Sequence, residues 1–168
     1  MHRFNLGSPR PAVSLVPLAA ALVAMLAVLT TSIPARAQSE GGLYIAGSGF
    51  SFAVAAERGL QQNPGGRRFF LLALPAEAAA LRADASGPGA ALRDRVLAAG
   101  GVLLVCQRDL DNGSINAATL VPGVVPARGW PAPGSNELPA GQRYFSGENA
   151  AQMPAANEAL RSLRAACS

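Results

Sequence analysis

The feature of this 168-residue sequence that most constrains its fold is the alternation of short, continuous apolar runs with segments of helical spacing. The apolar runs occupy residues 43–46, 69–74 and 102–106. Unbroken apolar strands are typical of parallel sheets that are covered on both faces, and strands that alternate with helices imply right-handed crossovers. The sequence therefore predicts an α/β fold, a three-layer sandwich with a mostly parallel sheet of four to five strands in which these three runs are adjacent and central.

Helices are predicted between these runs and after the last of them. Apolar residues at helical spacing indicate a helix from Phe52 up to 64–65 and another that includes residues 92–99. Pro75 is expected to open an alanine-rich helix that reaches about Ala85, and Pro154 to begin a last helix that presents Cys167 to the protein. Residues 123–127 read as a fourth strand and residues 144–145 as an edge strand.

The first 37 residues have the three zones of a secretory signal peptide. Arg3 and Arg10 provide a basic start, residues 18–29 an apolar stretch too short to span a bilayer, and residues 35–37 a small-residue cleavage site. We expect cleavage after Ala37, which leaves one domain of residues 38–168 with no membrane segment. Because no arginine pair precedes the apolar zone, the pattern favours the general secretory route to the bacterial periplasm or the exterior.

Composition excludes several classes of chemistry. The only histidine is His2, so the mature domain has no imidazole for catalysis or for metal binding. Two cysteines cannot form a thiolate zinc site, and we expect neither metal nor cofactor. Asp109 and Asp111 flank the turn signal at 112–113 and read as turn residues rather than as an acid–base pair. Three arginines of the signal peptide supply three of the formal +4 charges, which leaves about +1 and no nucleic-acid signal.

Three segments around one cysteine resemble a known family. The segments GGVLLVC at 100–106, NGSI at 112–115 and LVPGV at 120–124 look like the corresponding stretch of DsrE/DsrF-like proteins. The resemblance covers about residues 43–130 and implies a small α/β domain in which Cys106 carries sulfane sulfur as a persulfide. It also implies a partner that gives or takes sulfur, either a protein or a small sulfur compound. Residues 131–168 depart from the family pattern and read as a divergent C-terminal extension.

The position of Cys106 supports a reactive role independently of the resemblance. Ligands of open α/β sheets bind outside the carboxyl ends of the strands, where Cys106 ends the third apolar run. A helix that begins directly after it, with Arg108 nearby, would favour the thiolate, and the turn of Gly47, Ser48 and Gly49 would shape a pocket at the same edge.

Two alternatives remain open at the level of sequence. Cys106 is either a buried structural cysteine or one half of a disulfide with Cys167, since an exported chain with two cysteines can join them. A reactive Cys106 would make the protein a thiol-based sulfur carrier, whereas either of these alternatives would make it a non-catalytic binding or assembly module whose function lies in loops such as 131–141. Self-association as a homo-oligomer also remains open.

Overall fold

The computed structural model describes residues 40–130, 144–145 and 147–168. The predicted signal peptide, the expected new N-terminus at Gln38 and the loop 131–141 lie outside the described residues. Within the described part of the chain, the sheet has four strands, all parallel, which confirms the predicted fold class. The strands are β1 (Leu43–Ala46), β2 (Phe69–Ala73), β3 (Gly101–Cys106) and β4 (Val125–Ala127), in the spatial order β1-β2-β3-β4.

The first face of the sheet is covered by the two crossover helices, α1 (Phe52–Gln62) and α2 (Pro88–Ala98). Because the strand order follows the chain order, right-handed crossovers place both helices on the same side. Alternate residues of β2 and β3 point to this side and form one apolar cluster with the inner faces of the two helices. The predicted helical faces at 52–60 and 92–99 therefore form this layer.

The second face is covered by the last helix. Two helices follow β3 and β4 in the chain, α3 (Gln107–Asp111) and α4 (Asn157–Ala166). Leu163 of α4 and Met153 before it pack against a second apolar cluster that includes Phe70 and Leu104 of the central strands. The residues that sequence analysis treated as a divergent extension thus supply the third layer of the sandwich.

The alanine-rich segment does not form the long helix that Pro75 was predicted to open. It forms a 3-10 helix that ends at Leu81 (Pro75–Leu81). Arg82 forms an antiparallel bridge with Leu120, and the N–H of Ala83 donates to Thr119 O at 2.7 Å. Helix propensity alone does not hold a segment this short, and these contacts with a distant loop outweigh it.

Three further features differ from the sequence prediction. The run at 43–46 lies at the edge of the sheet rather than in its centre. Residues 144–145 belong to no strand, because the N–H of Phe145 is directed to the carboxylate of Glu148 at 3.2 Å instead of to a neighbouring strand. The last helix begins at Asn157 rather than at Pro154, and the carboxylate of Glu40 accepts hydrogen bonds from the main chain just before it.

Candidate functional site at the carboxyl edge of the sheet

Cys106 and Cys167 are joined by a disulfide. Cys106 ends β3 at the carboxyl edge of the sheet, and Cys167 directly follows α4. Their Cα atoms are 5.1 Å apart, within the range that a disulfide requires. Both residues are buried, Cys106 completely, and no cysteine of the chain is free. The bridge therefore fastens the central strand to the helix that covers the second face of the sheet.

Arg108 lies in the first turn of α3, which begins directly after Cys106 as the sequence suggested. Its guanidinium is turned towards the end of α4, where it donates to the main-chain oxygens of Ala166, at 3.4 Å, and of Ser168. Its Nε atom donates to the buried carboxylate of Asp109 at 3.1 Å. Arg108 thus binds the carbonyls at the end of α4, a position where a cation also complements the helix dipole.

The turn of Gly47, Ser48 and Gly49 lies at the end of β1, which β2 separates from β3 and from Cys106. Gly47 has a φ of +99°, and a Cβ atom at this position would come within 2.8 Å of Leu74. The first free N–H of α1, that of Phe52, donates to the carboxylate of Glu77 at 2.7 Å. A carboxylate of the protein thus occupies the place where a phosphate would bind, and the glycines serve the turn.

A cavity of about 510 Å³ lies beside the disulfide, and we call it the edge cavity. It is lined by Gln107, Arg108, Asp111, Arg128, Gly129, Trp130, Phe145 and Cys167. It lies outside the carboxyl ends of β3 and β4, the location at which open α/β sheets bind ligands. Gly47, Ser48 and Gly49 do not line it, so the predicted pocket residues and Cys106 are not brought into one site.

A buried ion pair contacts two of the residues that line this cavity, Arg128 and Phe145. The side chains of Arg164 and Glu148 are 1% and 4% exposed, and two hydrogen bonds of 2.6 and 2.7 Å join them. Glu148 also accepts the N–H groups of Arg128 at 2.8 Å and of Phe145 at 3.2 Å. Arg164 donates to Arg128 O at 2.6 Å, and its guanidinium lies 4.6 Å from the centre of the Phe145 ring.

These contacts lower the pKa of Glu148. Burial by itself raises the pKa of the carboxyl, but the hydrogen bonds from Arg164 and from the N–H groups of Arg128 and Phe145, with the charge of Arg164, more than offset it. Each of these groups stabilises the ionised form, so the net pKa lies below the usual value of a glutamate. Glu148 is therefore held as a carboxylate.

The described residues contain no group of three or more side chains that could hold a metal ion. Among the same residues, no helix has the length and hydropathy needed to cross a bilayer. One oxygen of Asp109 is buried without a hydrogen-bond partner, and it does not belong to the lining of the edge cavity. Comparison of the chain with protein-family models, curated proteins and solved structures finds no match in any of the three. The resemblance to DsrE/DsrF-like proteins therefore remains a prediction.

Sequence reasoning missed the roles of Glu148, Arg164 and Arg128. Arg164 carried a usable signal, because it lies one residue after Leu163 on the apolar face of α4, and an arginine on such a face needs a buried partner. Arg128 and Glu148 lie in irregular segments, before and after residues 131–143 in the chain. Only the folded chain brings them together.

Proposed function

We propose that this chain is an exported, non-catalytic binding module whose two cysteines are structural. The observation that carries the proposal is the buried disulfide between Cys106 and Cys167. Disulfides persist in the oxidising compartments outside the cytoplasm, which is where the signal peptide would deliver the protein.

The disulfide favours this function over sulfur transfer. A persulfide carrier needs an accessible thiolate, because the thiolate is the nucleophile that receives sulfur from a donor. In the bridged protein Cys106 has no thiol, and its side chain is excluded from solvent. Arg108, the candidate stabiliser of a thiolate, is engaged with the end of α4 instead. Transfer by Cys106 would thus require prior reduction and displacement of α4.

The edge cavity provides a place for a ligand. It lies where open α/β sheets bind their ligands, and Arg128 and Trp130 are both exposed there. Four segments meet at its wall: α3, the residues after β4, the residue Phe145 and the end of α4. The disulfide fastens the end of α4 to the end of β3, directly before α3, and the Arg164–Glu148 pair fastens α4 to the segments at 128 and 145. A module of this kind binds through a surface that is already formed before the ligand arrives.

The intact mass of protein recovered from the periplasm, measured without reductant, tests this proposal. We expect a chain that begins at Gln38 and is about 2 Da lighter than the reduced chain, because the bridge removes two hydrogens. Iodoacetamide should add nothing, and polysulfide should not add the mass of one sulfur, about 32 Da. Protein that has been reduced and unfolded in urea, in which both thiols are exposed, is the positive control for both reagents.

Two results would overturn the proposal. The first is alkylation of the untreated protein together with a gain of one sulfur that Cys106→Ser abolishes, which would establish the carrier. The second is full-length protein retained in the membrane, which would contradict the cleaved signal peptide and export.

A further inference from the structure

We infer that the edge cavity binds a small organic anion that carries one negative charge and a planar apolar body. The inference rests on the proposed function and names the ligand class of the same binding module. Arg128 binds the anionic group, and Trp130 contacts the planar body.

Arg128 is a cation whose charge is available to a ligand. Its guanidinium makes no ion pair and no hydrogen bond in the part of the chain that the structure describes. The other arginine of the cavity, Arg108, is already paired with the buried carboxylate of Asp109. A carboxylate that enters the cavity therefore meets one unpaired guanidinium, whose planar donors match it in a bidentate hydrogen-bonded pair.

The main chain of Arg128 is fixed by the buried ion pair. Its N–H donates to Glu148 at 2.8 Å and its carbonyl accepts from Arg164 at 2.6 Å, so both main-chain groups are bound by charged partners. Proteins in which apolar residues replace a buried ion pair are often equally stable, so stability alone does not account for the Arg164–Glu148 pair. We attribute the pair to positioning, because it holds the backbone of the residue that presents the free cation.

Trp130 is fixed in the same way by the end of α4. Its N–H donates to the hydroxyl of Ser168 at 2.9 Å, and that hydroxyl donates to Arg164 O at 2.9 Å. Gly129 lies so close to the carbonyl of Cys167 that a Cβ atom there would overlap it. Trp130 is 53% exposed, the highest value among the exposed large apolar residues of the described part of the chain. An anchored backbone with an exposed aromatic ring is suited to stacking against a planar ligand.

Asp111 accounts for the restriction to a single charge. Its carboxylate also lines the cavity and accepts a hydrogen bond from Gln107 at 2.7 Å. A dianion such as inorganic phosphate would be attracted by Arg128 but repelled by Asp111. A monoanion meets about half of this repulsion while its charge binds Arg128 and its apolar body contacts Trp130.

Titration of the exported, oxidised protein with benzoate tests the inference. Trp130 is the only tryptophan of the chain, so its fluorescence reports on the cavity alone, and calorimetry gives the affinity independently. We expect binding with a dissociation constant of about 1 mM or lower, as for a very small ligand. Benzamide, which has the same shape without the charge, and inorganic phosphate should bind at least about tenfold more weakly.

Variants assign the binding to the cavity. Arg128→Gln should weaken benzoate at least about tenfold, since a charge-assisted hydrogen bond is lost. Arg67→Gln removes an exposed charge before β2, at the opposite edge of the sheet, and should not change the affinity. Trp130→Phe, followed by calorimetry, should retain binding in weakened form. Thermal unfolding of each variant checks that it is folded.

The inference is overturned if benzoate does not bind at about 10 mM, if Arg128→Gln leaves its affinity unchanged, or if benzamide binds equally well. None of these results contradicts the proposed binding module with its disulfide, provided that the cysteines remain unreactive. A reactive Cys106 would overturn the module itself, and that result is read from mass and not from ligand binding.

Discussion

Arg164 and Glu148 illustrate what individual residues contribute to this fold. They are buried almost completely, and hydrogen bonds join them to the segments at 128 and 145. Removing one member of such a pair leaves an uncompensated charge in the interior. The free-energy cost of that charge is much larger than the net stabilisation that the intact pair provides. The pair therefore specifies how the chain after β4 meets the last helix.

At the scale of residues, we predict that Glu148 makes the free energy of unfolding decrease as the pH falls into the acidic range. Because the fold lowers the pKa of this carboxyl, the unfolded chain takes up the proton first as the pH falls. The stabilising contribution is complete above the usual glutamate pKa of about 4.3 and is lost progressively below it. Urea unfolding between about pH 7 and pH 3 measures this loss.

Glu148→Gln should be destabilised at neutral pH by about 3 kcal/mol or more and should lose less stability than the wild type as the pH falls. Glu57→Gln, which removes an exposed carboxylate from α1, is the matched control and should keep the wild-type profile. Parallel profiles for wild type and Glu148→Gln would contradict the assignment.

At the scale of elements, the approach of α1 to the sheet depends on a glycine in the middle of the helix. Gly59 is buried, and a Cβ atom there would lie 2.5 Å from the ring of Phe69 in β2. Phe69 has no room to retreat, since it is fully buried and its ring lies at right angles to that of Tyr44. Helix propensity would favour alanine at position 59, but close packing of the helix on the strand requires glycine.

We therefore predict that Gly59→Ala destabilises the protein. Alanine gains about 1 kcal/mol of helix propensity, but overpacking against the ring costs about 1 to 3 kcal/mol. Gly89→Ala in α2 is the matched control, because its Cβ atom would lie at an ordinary 3.5 Å from that of Ala80. Urea midpoints should fall for the first variant and stay level or rise for the second, and a rise for both would refute the packing argument.

At the scale of the whole molecule, the disulfide closes the sandwich. It joins residues that are 61 positions apart and fastens the third layer to the central strand β3. A cross-link over a loop of this length removes much of the freedom of the unfolded chain. Among the described residues, α4 covers the second face of the sheet. It is held there by the disulfide, by the Arg164–Glu148 pair and by apolar packing.

We predict that reduction of the disulfide lowers the free energy of unfolding by about 4 kcal/mol, the loop-closure value for 61 residues. Urea unfolding with and without dithiothreitol measures the difference. The double variant Cys106→Ala/Cys167→Ala should match the reduced wild type and be indifferent to the reductant. Equal stability of oxidised and reduced wild type would contradict a structural role for the bridge.

The layer order was predictable from the sequence because it depends on local pattern. Continuous apolar runs at 69–74 and 102–106 indicated strands that are buried on both faces, and periodic apolar spacing indicated the helices that cover them. The position of Cys106 at the end of a strand followed from the same local reading, whereas the helix directly after it was only a condition at the level of sequence.

The candidate site was decided only by the tertiary structure. The carboxyl edge of the sheet brings Arg128 and Trp130 to the end of α4, about 40 residues later in the chain, through hydrogen bonds that no local pattern encodes. The sequence also left the state of Cys106 open, because bridging depends on the distance between two Cα atoms that are 61 positions apart. Local periodicity determines which residues face inward, and only the packing of distant segments determines which of them meet.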